Sequence, residues 1–214
     1  MLALLRARTG PHGDGVLALG DPAYGAPAGG LPLARLPSSG VEARAVGDVV
    51  LLGKEATEGG LRTALLGRPR WRAVHLACHG LLDADRPLLS SLALAPGGGD
   101  DGLLVGHEIL RMTVPADLVV LSGCDTGLGK TFRGEGVLGL SRAFLLAGAP
   151  RVLVSLWKVD DEATRAFMET FYASWKSGRP LPDALREARE RVRSDPRWSH
   201  PRHWASFVLW GLPG

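Results

Sequence analysis

Residues 117–124, Asp117-Leu-Val-Val-Leu-Ser-Gly-Cys124, hold the strongest strand signal in the chain, an unbroken apolar run closed by Gly123. A strand apolar at every position is one buried on both faces, as in a parallel sheet covered by helices. The run AVHLACHG at 73–80 has the same character, and so does RVLVSLWKV at 151–159. Further out, VLALGDP at 16–22, SLALAPGGGDDG at 91–102 and WASFVLWG at 204–211 read as strands ending in turns.

Helical patterns fall between these runs. TEGGLRTALLG at 57–67 has Thr57 as N-cap and Gly67 as stop. GHEILRM at 106–112 is a short helix, and GVLGLSRAFLLAGA at 136–149 an apolar one ended by Gly148 and Pro150. Asp160 and Asp161 open a helix that runs through Trp175, and PDALREARERV at 182–192 carries a narrow apolar stripe. Residues 41–52 fit neither period clearly. The alternation predicts an α/β fold with a mostly parallel central sheet and helices on both faces.

Bulk properties narrow the class. The 214 residues suffice for one α/β domain, 1–214, with 1–15 read as a poorly structured lead-in. Net charge is +3, spread along the chain, which reads as a solvated surface and predicts no nucleic-acid partner. Two cysteines, Cys78 and Cys124, are too few for a disulfide framework and favour a reducing interior. Neither a leader pattern nor an 18-residue apolar window is evident, so the expectation is a cytoplasmic protein with no membrane partner. Heavy use of Arg, Ala, Gly and Leu suits a GC-rich bacterial genome.

In an open parallel sheet, sites gather beyond the carboxyl ends of the strands. His79-Gly80 and Gly123-Cys124 both stand at such ends. On neighbouring strands they would meet at one rim, where an imidazole can take a thiol proton and return it to a leaving amine. The amides of Gly80 and Cys124 are candidate oxyanion donors. Taken by residue type alone, a cysteine ending a buried strand is more often packing than nucleophile.

Other motifs fail on spacing. GLGKT at 127–131 resembles a phosphate-binding loop, but the first glycine of G-x-x-x-x-G-K-[ST] falls on Cys124. GEGVLG at 134–139 follows a polar loop instead of a strand, so it reads as a loop leading into a tightly packed helix. HLACH has His75 where haem attachment needs cysteine. Cys78 and His79 should point to opposite faces, against a zinc site with His75 and Cys124. Arg111 stands where a zinc-protease helix starting His107-Glu108 needs its second histidine.

HLACHG at 75–80 resembles the histidine motif of CHAT-domain peptidases, and LSGCDTGLG at 121–129 resembles their cysteine motif. The likeness runs through GEGVLGLSRAFLLAGAPRVLVSLWKVDDEAT at 134–164 and HPRHWASFVLWG at 200–211, covering about 16–211. It implies a caspase-like α/β sandwich related to separases and gingipains. By this resemblance His79 is the general base, Cys124 the nucleophile, and Gly80 shares the oxyanion hole with the Cys124 amide. The activity implied is hydrolysis of a protein substrate through an acyl-enzyme, with no metal or organic cofactor. It would be gated by a regulatory protein, a tetratricopeptide-repeat region or another adjoining domain.

Asp161 takes the place of the separase aspartate that follows a W-x-V motif and reads an arginine before the scissile bond; here that motif is Trp157-Lys158-Val159. It serves equally as a helix N-terminal carboxylate. Ser122 occupies the position where metacaspases carry an acidic specificity residue. Gly123, Asp125 and Cys78 replace the alanine, glutamate and threonine common in relatives. The competing reading is a catalytically silent CHAT module acting as a scaffold.

Overall fold

The computed structural model describes residues 12–25, 32–123 and 135–212. In chain order the strands are β1 (Val16–Pro22), β2 (Val49–Gly53), β3 (Trp71–Ala77), β4 (Gly80–Leu81), β5 (Ser91–Ala93), β6 (Leu103–Val105), β7 (Ala116–Ser122), β8 (Arg151–Ser155) and β9 (Phe207–Gly211). The helices are α1 (Pro37–Val46), α2 (Glu58–Leu65), α3 (Gly106–Ile109), α4 (Glu135–Ala147), α5 (Asp161–Lys176) and α6 (Leu181–Arg193).

Among the described residues the main sheet has the order β2-β1-β3-β7-β8-β9. Every pairing within it is parallel except β8 with β9, which is antiparallel. A three-stranded antiparallel sheet, β4-β5-β6, stands beside it. The expected mixed α/β fold with a mostly parallel central sheet and flanking helices is what forms.

The strict alternation of β7 divides the core. Val119 and Leu121 enter one apolar cluster with Leu61 of α2 and Phe144 of α4. Leu118 and Val120 enter the other, with Phe167 and Phe171 of α5 and Leu185 of α6. Both faces of the sheet are covered, as the unbroken apolar runs require.

Glycines set how closely the helices approach. A Cβ at Gly20 of β1 would overlap the carbonyl oxygen of Ser39, so α1 lies almost on the strand. Within GEGVLG, a Cβ at Gly139 would overlap the Pro87 carbonyl and one at Gly136 would press on Leu82. Those two glycines serve close packing of α4, as the loop-into-helix reading anticipates.

The helix caps follow the sequence. Thr57 Oγ1 accepts from the Gly60 amide at 2.9 Å, and Asp160 Oδ1 accepts from Ala163 at 3.0 Å. Some boundaries differ. Gly80 opens β4 after β3 has ended at Ala77, and β8 ends at Ser155, short of the apolar run's end at Val159. The ambiguous stretch at 41–52 divides into the end of α1 and most of β2. Of the expected lead-in, residues 1–11 lie outside the described residues. The Gly13 amide donates to Asp117 at 2.7 Å, and Asp117 also pairs with Arg70.

Candidate functional site

β3 and β7 are adjacent and parallel, with Ala77 opposite Ser122. His79 stands two residues beyond Ala77, and Cys124 two residues beyond Ser122 in the chain. Cys124, and with it the GLGKT stretch and Asp125, lies outside the described residues. Gly123 has φ +99°, in the left-handed region, and a Cβ there would sit 3.1 Å from the Cys78 carbonyl oxygen. This chain therefore has a physical reason to carry glycine at this position.

His79 is buried and held by main-chain and aromatic neighbours. Its Nε2 lies 2.8 Å from the Ala34 carbonyl oxygen. A carbonyl can only accept, so Nε2 carries the proton and Nδ1 is the basic nitrogen of the neutral ring. The backbone N–H of His79 donates to the Tyr24 hydroxyl at 3.4 Å, and the two rings lie 5.3 Å apart. Burial pushes the Tyr24 phenol far above its ordinary value, with the Cys78 thiol adding to the effect, so it stays a neutral donor and acceptor.

The Ala34 carbonyl is itself fixed from β1. Asp21 accepts from Arg35 Nε at 2.8 Å, Arg35 Nη2 at 2.6 Å and the Leu36 amide at 3.0 Å. Its own amide donates to Ser39 Oγ at 2.8 Å. The Arg35 hydrogen bonds hold the Asp21 carboxyl below the usual carboxylate range.

The Ala93 amide donates to the His79 carbonyl at 2.8 Å, which makes His79–Ala93 a hydrogen-bonded pair. The next pair, Gly80–Leu92, is then a non-hydrogen-bonded one, and the Gly80 N–H points away from the small sheet. Cys78 packs into the core cluster on the α4 side, buried as a strand residue would be.

A cavity of about 60 Å³ opens at this rim. His79, Ser122 and Gly123 line it at the strand ends, Glu42 on the α1 side, and Lys158 and Asp161 on the α5 side. Asp161 is in the first turn of α5, and Asp160 is the cap. Asp161 is exposed at the cavity wall. The helix-terminus and cavity-lining descriptions therefore both hold for it.

Sequence reasoning missed Ala34, Tyr24 and Glu42. Ala34 and Glu42 lie in no motif, and Ala34 contributes a backbone atom that any residue would supply.

A mostly parallel sheet covered on both faces, with a cavity at the carboxyl ends of β3 and β7, defines a caspase-like α/β sandwich. The CHAT domain model matches residues 2–212, and the chain belongs to that family. Tetratricopeptide repeat protein 28 of Homo sapiens is 42% identical over 109 residues, and that of Mus musculus 39%. Each match covers 51% of this chain and 4% of the relative, so this chain aligns with a small part of much longer proteins. Separase in the Saccharomyces cerevisiae separase–securin complex superposes with TM-score 0.58 at 19% identity, covering 99% of this chain and 13% of that one. Gingipain R, an Arg specific cysteine proteinase, gives 0.54 at 11% identity, covering 92% and 46%. These likenesses establish a fold shared with the cysteine-peptidase superfamily.

Proposed function

We propose that this domain is a cysteine endopeptidase in which His79 is the general base and Cys124 the nucleophile. The observation that carries the reading is the register of β3 and β7, which sets His79 and Cys124 the same number of residues beyond an aligned pair. The Nε2–H bond to the Ala34 carbonyl supports the role of His79, because it fixes the tautomer whose Nδ1 can accept a thiol proton.

In this scheme Cys124 Sγ loses its proton to His79 and attacks the scissile carbonyl carbon. The Gly80 and Cys124 amides stabilise the oxyanion. Imidazolium His79 then protonates the leaving amine, and water, deprotonated by His79, releases the acyl group. Asp161 at the cavity wall favours a basic side chain just before the scissile bond, and Ser122 lines the same space. Gating by a partner or an adjoining domain fits the far greater length of the curated relatives and the separase–securin complex among the structural neighbours.

The test is a mass-spectrometric survey of new N-termini in a proteome treated with wild-type, Cys124→Ala or His79→Ala protein. Cleavages made by wild type and lost in both variants support the dyad. Cleavage persisting in Cys124→Ala removes the nucleophile assignment, and none by wild type favours the scaffold module.

A further inference from the structure

The main sheet ends on one side at β2, which pairs with β1 alone among the described residues. Its sequence is Val-Val-Leu-Leu-Gly, and none of these 5 residues is charged or proline. Edge strands are normally guarded by a charge, a proline or a covering element, because open main-chain groups invite another strand. Val49 is 38% exposed, and the rest of β2 is partly exposed. The opposite edge, β9, is guarded: Arg189 Nη2 donates to the Phe207 carbonyl at 2.6 Å.

The pairing of β2 shows which of its groups are open. The Gly53 carbonyl faces β1, where it accepts from the Ala23 amide at 2.9 Å. Main-chain direction alternates along a strand, so Val49, Leu51 and Gly53 turn their groups to β1, and Val50 and Leu52 turn theirs outward. The Leu52 carbonyl accepts from the Glu55 amide at 3.0 Å and keeps a second lone pair.

Opposite charges stand just beyond the two ends. Asp48 precedes the strand, its side chain half exposed, and its Oδ2 accepts from the Val16 amide at 2.7 Å. Lys54 follows the strand, is exposed, and makes no ion pair among the described residues. In Asp48-Val-Val-Leu-Leu-Gly-Lys54 the two charges are equally far from Leu51.

A second copy of the strand, antiparallel and centred on Leu51, answers every one of these features. Val50 then lies opposite Leu52 of the second copy and Leu52 opposite its Val50, so each outward amide and carbonyl gains a partner. Asp48 meets Lys54 of the second copy on both sides of the two-fold axis, a favourable cross-strand pair. A centre at Val50 or Leu52 would separate the charges. The contact is self-complementary and closed, as a symmetric dimer requires.

We propose that β2 is a dimerisation edge, through which two copies of this chain join their main sheets with Leu51 against Leu51. The proposal stands apart from the peptidase reading. It makes one continuous sheet of two six-stranded halves, and because their strands run in opposite directions, the two His79 cavities open at opposite rims.

Sedimentation velocity tests the association. Wild type is expected to pass from monomer to dimer within about 1–100 μM, as suits a small interface. Lys54→Glu turns both ion pairs into like-charge contacts and should raise the dissociation constant about tenfold. Disulfide formation under mild oxidation reads the register, in a Cys124→Ala background whose remaining native thiol, Cys78, is buried. The Cα atoms of a non-hydrogen-bonded antiparallel pair lie about 4.5 Å apart, within disulfide reach, so Leu51→Cys should cross-link. Val49→Cys would lie about 14 Å from its counterpart and should not. Wild type that stays monomeric throughout that range assigns the edge to another occupant and overturns the proposal. A dimer that Lys54→Glu leaves equally tight overturns it too, as does folded Leu51→Cys protein that cross-links no faster than Val49→Cys. If Leu51→Cys does not fold, the Lys54→Glu measurement decides.

Discussion

Gly139 and Gly59 both lie inside helices, so alanine at either position gains the same backbone term, about 0.4–1 kcal/mol, by restricting the unfolded chain. What differs is the space a methyl group would meet. At Gly59 the nearest atom is a carboxyl oxygen of Asp100 at 3.8 Å, an ordinary contact. At Gly139 the methyl would overlap the Pro87 carbonyl oxygen and also press on the Pro87 side chain. Backbone cannot swing aside as a flexible side chain can, so α4 must shift against the turn at Pro87–Leu89. Overpacking of that kind costs about 1–3 kcal/mol, which exceeds the backbone gain.

Gly139→Ala is therefore expected to destabilise by about 1–2 kcal/mol net, and Gly59→Ala to stabilise by about 0.5 kcal/mol. In a domain of this size the first corresponds to a fall in Tm of about 2–8 °C. Urea unfolding followed by circular dichroism, with calorimetry alongside, measures both. Gly139→Ala protein as stable as wild type, or two shifts of the same sign, would refute the reasoning.

The chain contains two tyrosines, and burial raises both phenols, so native protein titrated to pH 10 should show almost no tyrosinate absorbance near 295 nm. A full two-tyrosine signal with the fold intact would contradict that. Asp21→Asn should lower the urea midpoint at pH 7, because the folded carboxyl is depressed by Arg35. That contribution is fully present above the unfolded value and lost as pH falls through the folded one, so the gap from wild type should close below about pH 3.8. A gap that widens on acidification would show that the Arg35 bonds are not its source.

The buried runs at 73–80, 117–124 and 151–159 made the sheet legible, because few structures bury a strand on both faces. The capping roles of Thr57 and Asp160 were equally plain, since each side chain acts on a backbone three residues away. β4 and β6 were not read, as two or three residues are too short to show a period. α1 begins Pro-Ser-Ser-Gly, residues that local propensity assigns to turns, and its helix depends on Gly20 allowing it onto β1. The grouping of Glu42, His75 and Tyr172 escaped for another reason. Residues so far apart in the chain are joined only by the stacking of α1 and α5 on one face of the sheet.

The group facing His79 Nε2 belongs to the peptide unit at position 34, and that has an evolutionary consequence. Alanine scanning passes over it, and a sequence profile records no preference there, because every amino acid brings the same oxygen. Constraint falls instead on the length of the segment between β1 and α1 and on the Asp21–Arg35 clamp that sets its path. Insertion or deletion of one residue at 32–36 would turn that oxygen away while leaving every recognisable motif intact.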